Sequence, residues 1–338
     1  MKLAERVSVM AQLGAHLQGT DEYLQAVMHR TYFHNKWFTI EQQTQALRAI
    51  ADSFLAEDKL QQWLQYYHID DNIEPQTVGL VLAGNIPLVG FHDVLCVFMA
   101  GHRAMIKLSD KDAYLLPYLF TLLQNFDART GFYFNVVDFL KGYNAVIATG
   151  SNNSARYFET YFGKVPHIIR RNRNAVAVLT GAETSDELLA LGQDIFQYYG
   201  LGCRNVSKIY VPRGYDFTPL LEALHTFREI ILNEKYKNNF DYNYALYILN
   251  KRPHLANGCI ILTEDTSLQS RIAGLHYEYY DNLASVAQHL EAATDAIQCV
   301  AARPNVLSIN TLPFGKTQQP ALWDYADGVD TMQFLLSL

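Results

Sequence analysis

At 338 residues the chain is long enough for about two domains with substantial hydrophobic cores. Hydrophobic residues make up 49% and charged residues 18%, a balance that excludes a disordered chain. The formal net charge of −7 argues against a nucleic-acid partner, whose binding would rest on neutralising phosphates.

Met1 to Leu17 carries Lys2, Glu5 and Arg6 among spaced apolar residues. It reads as an amphipathic helix, not an export signal. Residues 1 to about 70 continue in this helical pattern, nearly free of Gly and Pro. The most apolar window, Val78 to Ala100, contains Asn85, Pro87, His92 and Asp93, which a membrane span would hardly tolerate. It reads instead as a strand (Thr77–Ala83), a tight turn and a helix (Val89–Gly101). Strands follow at Ala104–Leu108, within Phe132–Phe139 and at Asn144–Thr149, with a helix over Tyr114–Gln124. Short apolar strands alternating with helices imply βαβ units and a parallel sheet.

The alternation resumes at Ala175–Leu179 and Val206–Val211, continues after an Asn257-Gly258 turn in Cys259–Thr263, and ends in an expected strand at Asn305–Asn310. The apolar tail Thr331–Leu338 is of the kind that adds a strand to a partner or docks on a core. The motifs below divide the chain into 1–175, a helical N-terminus with a dinucleotide-binding domain, and 176–310, a catalytic domain. Residues 311–338 form a C-terminal segment returning to the site, with an oligomerisation strand as one use for it.

Cys96, Cys203, Cys259 and Cys299 lie far apart with no CxxC pair. That suits reduced thiols in a cytoplasm and gives no structural zinc site. The histidines show no metal spacing either, so no metal is expected. Cys203 is singled out by its neighbours: Gly200 and Gly202 precede it, Arg204 follows, and an alternating strand begins at Val206. Small residues let a substrate approach the sulfur, and a fixed positive charge favours the thiolate that attacks carbonyl carbon. By itself this segment reads more readily as a small buried thiol than as a nucleophile.

Four segments in order change that balance. They are Leu82-Ala-Gly-Asn85-Ile-Pro87, Lys107-Leu-Ser109-Asp110 after a glycine turn and strand, Thr149-Gly150-Ser151 between strand and helix, and the Cys203 segment, 53 residues beyond Gly150. Together they resemble the aldehyde dehydrogenase superfamily, most closely its acyl-CoA reductase branch, which includes the fatty acyl reductase of bacterial bioluminescence. A looser echo is Pro313-Phe314-Gly315. The resemblance runs from about residue 75 to 316 and implies an α/β fold, aldehyde-dehydrogenase-like, with a Rossmann-like cofactor domain and an α/β catalytic domain.

It further implies Cys203 as nucleophile and the Asn85 amide as an oxyanion donor. Lys107 and Asp110 would hold the adenosine ribose, while Ser109, Gly150 and Ser151 would also contact the dinucleotide. The cofactor implied is NADPH, with NADH the alternative because the Asp110 carboxylate repels a 2′-phosphate. Three positions depart from the family pattern: Ile86 replaces an aromatic, Leu108 a proline and Leu201 a glutamine.

The most informative departure is His167–Asn174. Hydrolytic members carry there the glutamate that activates water, yet no carboxylate occurs between Phe162 and Leu179. An acyl-cysteine without a general base persists until it meets hydride or another thiol. The expected reaction is therefore reduction of an acyl thioester, such as a fatty acyl-CoA, to an aldehyde. An acyl-phosphate reductase of the same fold and a non-reducing acyl-carrying protein are the rivals; a thioesterase is disfavoured. Arg170, Arg171 and Arg173 fill the segment, either as a site for phosphates of CoA or NADP or as a solvated loop. Expected partners are the acyl-CoA or acyl-carrier substrate, a second copy of the chain, or an acyl-transferring enzyme. The aromatic stretches Phe240–Tyr247 and Tyr277–Tyr280 read as core packing more readily than as an acyl channel.

Overall fold

Four helices open the chain, as their spacing predicts: α1 (Leu3–Gln18), α2 (Glu22–His34), α3 (Ile40–Phe54) and α4 (Glu57–Leu64). Their starts are written in side chains. Asp21 accepts the N–H groups of Tyr23 and Leu24, and Thr39 accepts that of Gln42, satisfying donors that a helix start leaves unpaired. In α1, Val9, Met10 and Leu13 form the buried stripe.

The computed structural model describes residues 1–338, which fall into two units: Met1–Asn172 with Pro320–Leu338, and Arg173–Gln319. No helix is long and apolar enough to cross a membrane.

The first unit continues with β1 (Thr77–Val81), α5 (Phe91–Met99), β2 (Arg103–Lys107), α6 (Leu115–Phe126), β3 (Phe134–Val136), β4 (Ala145–Thr149), α7 (Asn152–Phe162) and β5 (His167–Arg170). The strands form one parallel sheet in the order β3-β2-β1-β4-β5. β1 is central and fully buried at Val78 and Leu80. The chain leaves β1 toward β2 on one side and later returns to β4 on the other. This reversal puts the topological switch point at the carboxyl ends of β1 and β4, the place where open parallel sheets commonly bind ligands.

The second unit comprises β6 (Asn174–Val178), α8 (Ser185–Phe196), β7 (Val206–Pro212), α9 (Thr218–His225), α10 (Glu234–Leu249), β8 (Leu255–Ala256), β9 (Ile261–Glu264), β10 (Gly274–Tyr280), α11 (Leu283–Ala292) and β11 (Ile297–Ala302). Its sheet runs β11-β6-β7-β10-β9-β8, parallel except for the short edge strand β8. Both units are thus α/β, with mixed layers of helix around a mainly parallel sheet, as the alternation requires.

Two expectations are corrected. The last strand is β11, not Asn305–Asn310. Pro304 follows it and Asn305 adopts a left-handed φ of 62°, so the chain turns away and touches the sheet again only through a bridge between Leu312 and Ala301. The tail is helical rather than a strand: α12 (Thr331–Leu336) is capped by Asp330, which accepts the Gln333 N–H. Met332 and Leu335 bury its inner face in the core of the first unit.

Arg170 fixes α12 there. At the end of β5 its guanidinium pairs with Asp93 of α5 and donates to Thr331 Oγ1 at 2.9 Å. Both charged side chains are nearly fully buried, at 5% and 6% exposure. Burial acts to lower the Arg170 pKa, but the Asp93 charge and hydrogen bond outweigh it and raise it.

Candidate functional site

In the first unit, the segments singled out by sequence gather at the carboxyl ends of β1, β2 and β4. Asn85 lies in the turn after β1, Lys107 ends β2, Ser109 and Asp110 follow it, and Gly150 and Ser151 join β4 to α7. β1 and β2 are in register from Thr77 with Arg103 to Val81 with Lys107, so their following loops leave the sheet side by side. The two loops touch: a Cβ at Gly84 would stand 2.5 Å from Ser109 Oγ. Glycine is required at this contact by close approach.

Ser151 is the N-cap of α7, its hydroxyl accepting the Ser154 N–H at 3.2 Å. A Cβ at Gly150 would lie 2.8 Å from both Phe158 and Ser154 side chains, so only glycine allows the chain to enter α7 this tightly. The exposed helix start carries partial positive charge and unpaired N–H groups, suited to a pyrophosphate. The Lys107 side chain stands at the end of β2, one strand beyond β1 from β4, and these residue types suit a dinucleotide.

In the second unit, Cys203 occupies a four-residue turn between α8 and β7. Of the four cysteines only Cys203 is exposed. Burial pushes the Cys96 thiol well up, Cys259 to about 11 and Cys299 to about 12, so those three resist forming the nucleophilic thiolate. Arg204 both lowers the Cys299 thiol by its charge and hydrogen-bonds to it, effects smaller than burial.

The turn is held by Asn205, a residue that motif reading passed over. Its Oδ1 accepts the Gly202 N–H at 2.8 Å, and the Asn205 N–H returns to the Gly202 carbonyl at 3.1 Å. Its Nδ2 donates to the carbonyls of Asp194 at 3.0 Å and Gln197 at 2.7 Å. One buried amide thus ties the cysteine turn to the end of α8. Just before it, Tyr198, Tyr199 and Gly200 take φ values of 52°, 59° and 73°. Two consecutive non-glycine residues in this region store strain, of order 1–3 kcal/mol each, that the surrounding packing must hold.

α8 also holds the Pro313-Phe314-Gly315 segment. Asp194, buried at 1% exposure, accepts the Gly315 N–H at 2.6 Å, the Thr317 N–H at 3.0 Å and the Thr317 hydroxyl at 2.8 Å. Burial raises its pKa against these donors. No motif marks Asp194 or Asn205, because their work is to satisfy backbone groups brought together by folding.

The arginine segment does not act as one cluster. Arg170 pairs with Asp93 and Thr331, so its placement as a phosphate ligand is corrected: a guanidinium only 5% exposed and charge-paired inside the fold is out of reach of a soluble anion. Arg171 pairs with Glu159 on α7, and Arg173 donates to the carbonyls of Thr294 and Ile297. Part of the segment is not loop at all but strand β5. The aromatic residues of β10 are packing elements: Tyr277 lies 4.6 Å from Phe217 between ring centroids, and the Tyr280 hydroxyl donates to the Leu179 carbonyl at 2.8 Å. The expectation of core packing fails for Phe240–Tyr247: Phe240 and Tyr244 stack on one another along α10, but Tyr242 and Tyr244 are exposed and only Tyr236 and Asn243 of that helix are buried.

Asn205→Ala is expected to slow alkylation or acylation of Cys203 by about tenfold and to lower stability by about 1–3 kcal/mol, because it orphans buried carbonyls and frees the turn. Thiol-labelling rates followed by mass spectrometry, beside a thermal melt, check both parts. An unchanged labelling rate would refute the clamp.

No protein-family model matches the sequence, and no curated protein matches it. Solved structures do. A putative aldehyde dehydrogenase from Burkholderia cenocepacia superposes with a TM-score of 0.63 at 15% identity, covering 89% of this chain and 74% of that one. The NAD-dependent aldehyde dehydrogenase of Sinorhizobium meliloti gives 0.64 at 15% identity, over 95% and 73%. Aldehyde dehydrogenase 21 from Physcomitrella patens, solved with the reaction product succinate, gives 0.65 at 13%, over 89% and 73%.

Proposed function

From the aldehyde-dehydrogenase fold as premise, we propose that this protein reduces an acyl thioester to an aldehyde through an acyl-Cys203 intermediate, with a nicotinamide cofactor. The observation that carries the reading is the placement of Cys203, the one exposed thiol, on a turn clamped at the start of β7. The Cys203 thiolate attacks the thioester carbonyl. Negative charge grows on the carbonyl oxygen, where the Cys203 N–H donates; the resemblance gives the Asn85 amide the same task, and one such donor is worth about 3–4 kcal/mol in the transition state. The carbon–sulfur bond to the donor breaks, its thiolate leaves, and Cys203 keeps the acyl group.

A reduced nicotinamide supplies the hydride when bound. Lys107, Ser109, Asp110, Gly150 and Ser151 orient its dinucleotide at the carboxyl ends of β1, β2 and β4. The thiohemiacetal left on Cys203 then collapses, the sulfur departing as thiolate and the aldehyde leaving. The balance is one thioester, one hydride and one proton in, one thiol and one aldehyde out. Direction follows from an absence in the sequence: residues 163–178 contain no carboxylate to activate water. Asp194 does not replace it, since its oxygens are engaged by Gly315 and Thr317.

The test is oxidation of NADPH and of NADH with acyl-CoA thioesters from acetyl to palmitoyl, with trapping of the aldehyde and mass analysis of the protein. Turnover with aldehyde formation and an acyl adduct on Cys203 is expected. Aldehyde from acyl phosphate alone would move the reading to that donor, and an adduct that never consumes cofactor would move it to an acyl carrier. No adduct from any acyl donor would overturn it.

A further inference from the structure

Asp112 is a buried carboxylate that the mechanism does not use. It is 6% exposed, and its Oδ2 accepts the Leu88 N–H at 2.7 Å while its Oδ1 has no partner. A half-satisfied buried carboxylate is costly to keep, and burial pushes its pKa up to about 6. Leu88 is the second unusual feature: it is buried and held at a φ of 56°, which a leucine rarely adopts. The single hydrogen bond joins the two oddities.

Its position gives it meaning. Leu88 closes the turn that carries Asn85, and Gly84 opens it. Gly84 lies against Ser109, and Leu88 is bound by Asp112, so both ends of the Asn85 turn rest on the loop that follows Lys107. That loop is itself rigid. The Asp112 N–H donates to the Ser109 carbonyl at 3.0 Å, and the Lys111 N–H to Ser109 Oγ at 3.3 Å. Behind it, the end of α2 reaches across: His34 Nε2 lies 2.6 Å from the Asp110 carbonyl, and Asn35 Nδ2 donates to the Lys111 carbonyl at 3.1 Å.

We propose that Asp112 is a positioning residue that fixes the Asn85 turn to the nucleotide loop, so that the side chain proposed to donate to the oxyanion is set by the loop proposed to hold the cofactor. This rests on the proposed reading of Asn85. Asp112 touches no reacting atom; it acts through the Leu88 backbone.

The experiment compares Asp112→Leu, which keeps volume and removes the acceptor, with Asp112→Asn, whose Oδ1 still accepts the Leu88 N–H. Two readouts are taken: hydrogen exchange of the Leu88 amide, and the single-turnover rate of acyl-Cys203 formation beside the KM for the nicotinamide cofactor. In Asp112→Leu the Leu88 amide is expected to exchange about tenfold faster or more, and acylation to slow by about tenfold or more, with cofactor KM within about twofold. Asp112→Asn is expected to restore both within about threefold. A Leu88 amide as protected in Asp112→Leu as in the unaltered protein overturns the proposal, as does unchanged acylation. If Asp112→Leu fails to fold, exchange in the unaltered protein decides: slow exchange at Leu88 supports the brace, and exchange at the rate of an open loop refutes it. Failure of the unaltered protein to be acylated by any donor strikes the proposed function instead, and leaves the exchange readout to judge the brace.

Discussion

Cys203→Ala is expected to abolish acyl-enzyme formation and to lower turnover by at least about 10³-fold, the scale on which loss of a nucleophile is felt. The reasoning is one of elimination within the fold. Cys96 and Cys259 are fully buried and their thiols are pushed up by burial, as is that of Cys299 on β11. Only Cys203 is exposed to an acyl donor. Because it sits in a surface turn whose shape is set by Asn205 and not by the thiol, removing the sulfur leaves the clamp intact. The melting temperature is therefore expected to stay within a few degrees of the unaltered protein. Intact-mass analysis after incubation with an acyl-CoA reads the adduct, and Cys96→Ala is the control expected to keep it. Normal turnover by Cys203→Ala would end the mechanism proposed above.

The second large effect concerns stability. Arg170→Met removes the cation paired with Asp93, both side chains being nearly fully buried, and leaves a carboxylate with one oxygen already lacking a partner. Breaking a buried pair from one side costs about 3–5 kcal/mol. At about 2–4 °C per kcal/mol for a domain of this size, the melting temperature should fall by roughly 6–20 °C. The loss includes the tether to Thr331, so α12 should become the first segment to gain hydrogen exchange. Asp93→Leu combined with Arg170→Met is expected to recover most of the stability, since a matched apolar replacement carries no desolvation cost. An arginine that served a phosphate of the substrate would behave otherwise, raising KM at constant melting temperature. An unchanged melt in Arg170→Met would refute the structural role assigned to it.

Those two residues illustrate how differently the chain discloses its parts. Cys203 stands out in the sequence because its neighbours are local: two glycines, an arginine and the start of a strand lie within a few positions of it. The same holds for Gly150-Ser151 and for Lys107, each at the end of a strand whose apolar run is plain. The α/β class, the helical first 70 residues and most strands follow from period alone, because a buried parallel strand must be a short apolar run and an amphipathic helix must repeat near every third or fourth residue.

The role of Arg170 is not legible in sequence, for the converse reason. In sequence it stands among other arginines, and only β4–β5 pairing and the return of the tail bring it to Asp93, 77 positions away, and to Thr331, 161 positions away. The tail's apolar pattern is six residues of helix after an Asp330 cap, too short for periodicity to tell from a strand. Asn305 lost its strand to a left-handed turn after proline, a backbone fact that the apolar alternation of its neighbours concealed.

The sequence by itself determined the elements, the parallel sheets and the order of the chemical groups along the chain. The tertiary structure alone decided which buried polar groups would meet. Asn205 with the end of α8, Asp194 with Gly315 and Thr317, and Asp112 with Leu88 each satisfy or brace backbone groups distant in the fold's layout, and no local pattern encodes such a partner. The physical reason is the same for all: apolar burial is non-directional and can be read residue by residue, whereas a buried polar atom needs one particular partner at hydrogen-bond distance, and that partner is specified only when the chain has closed.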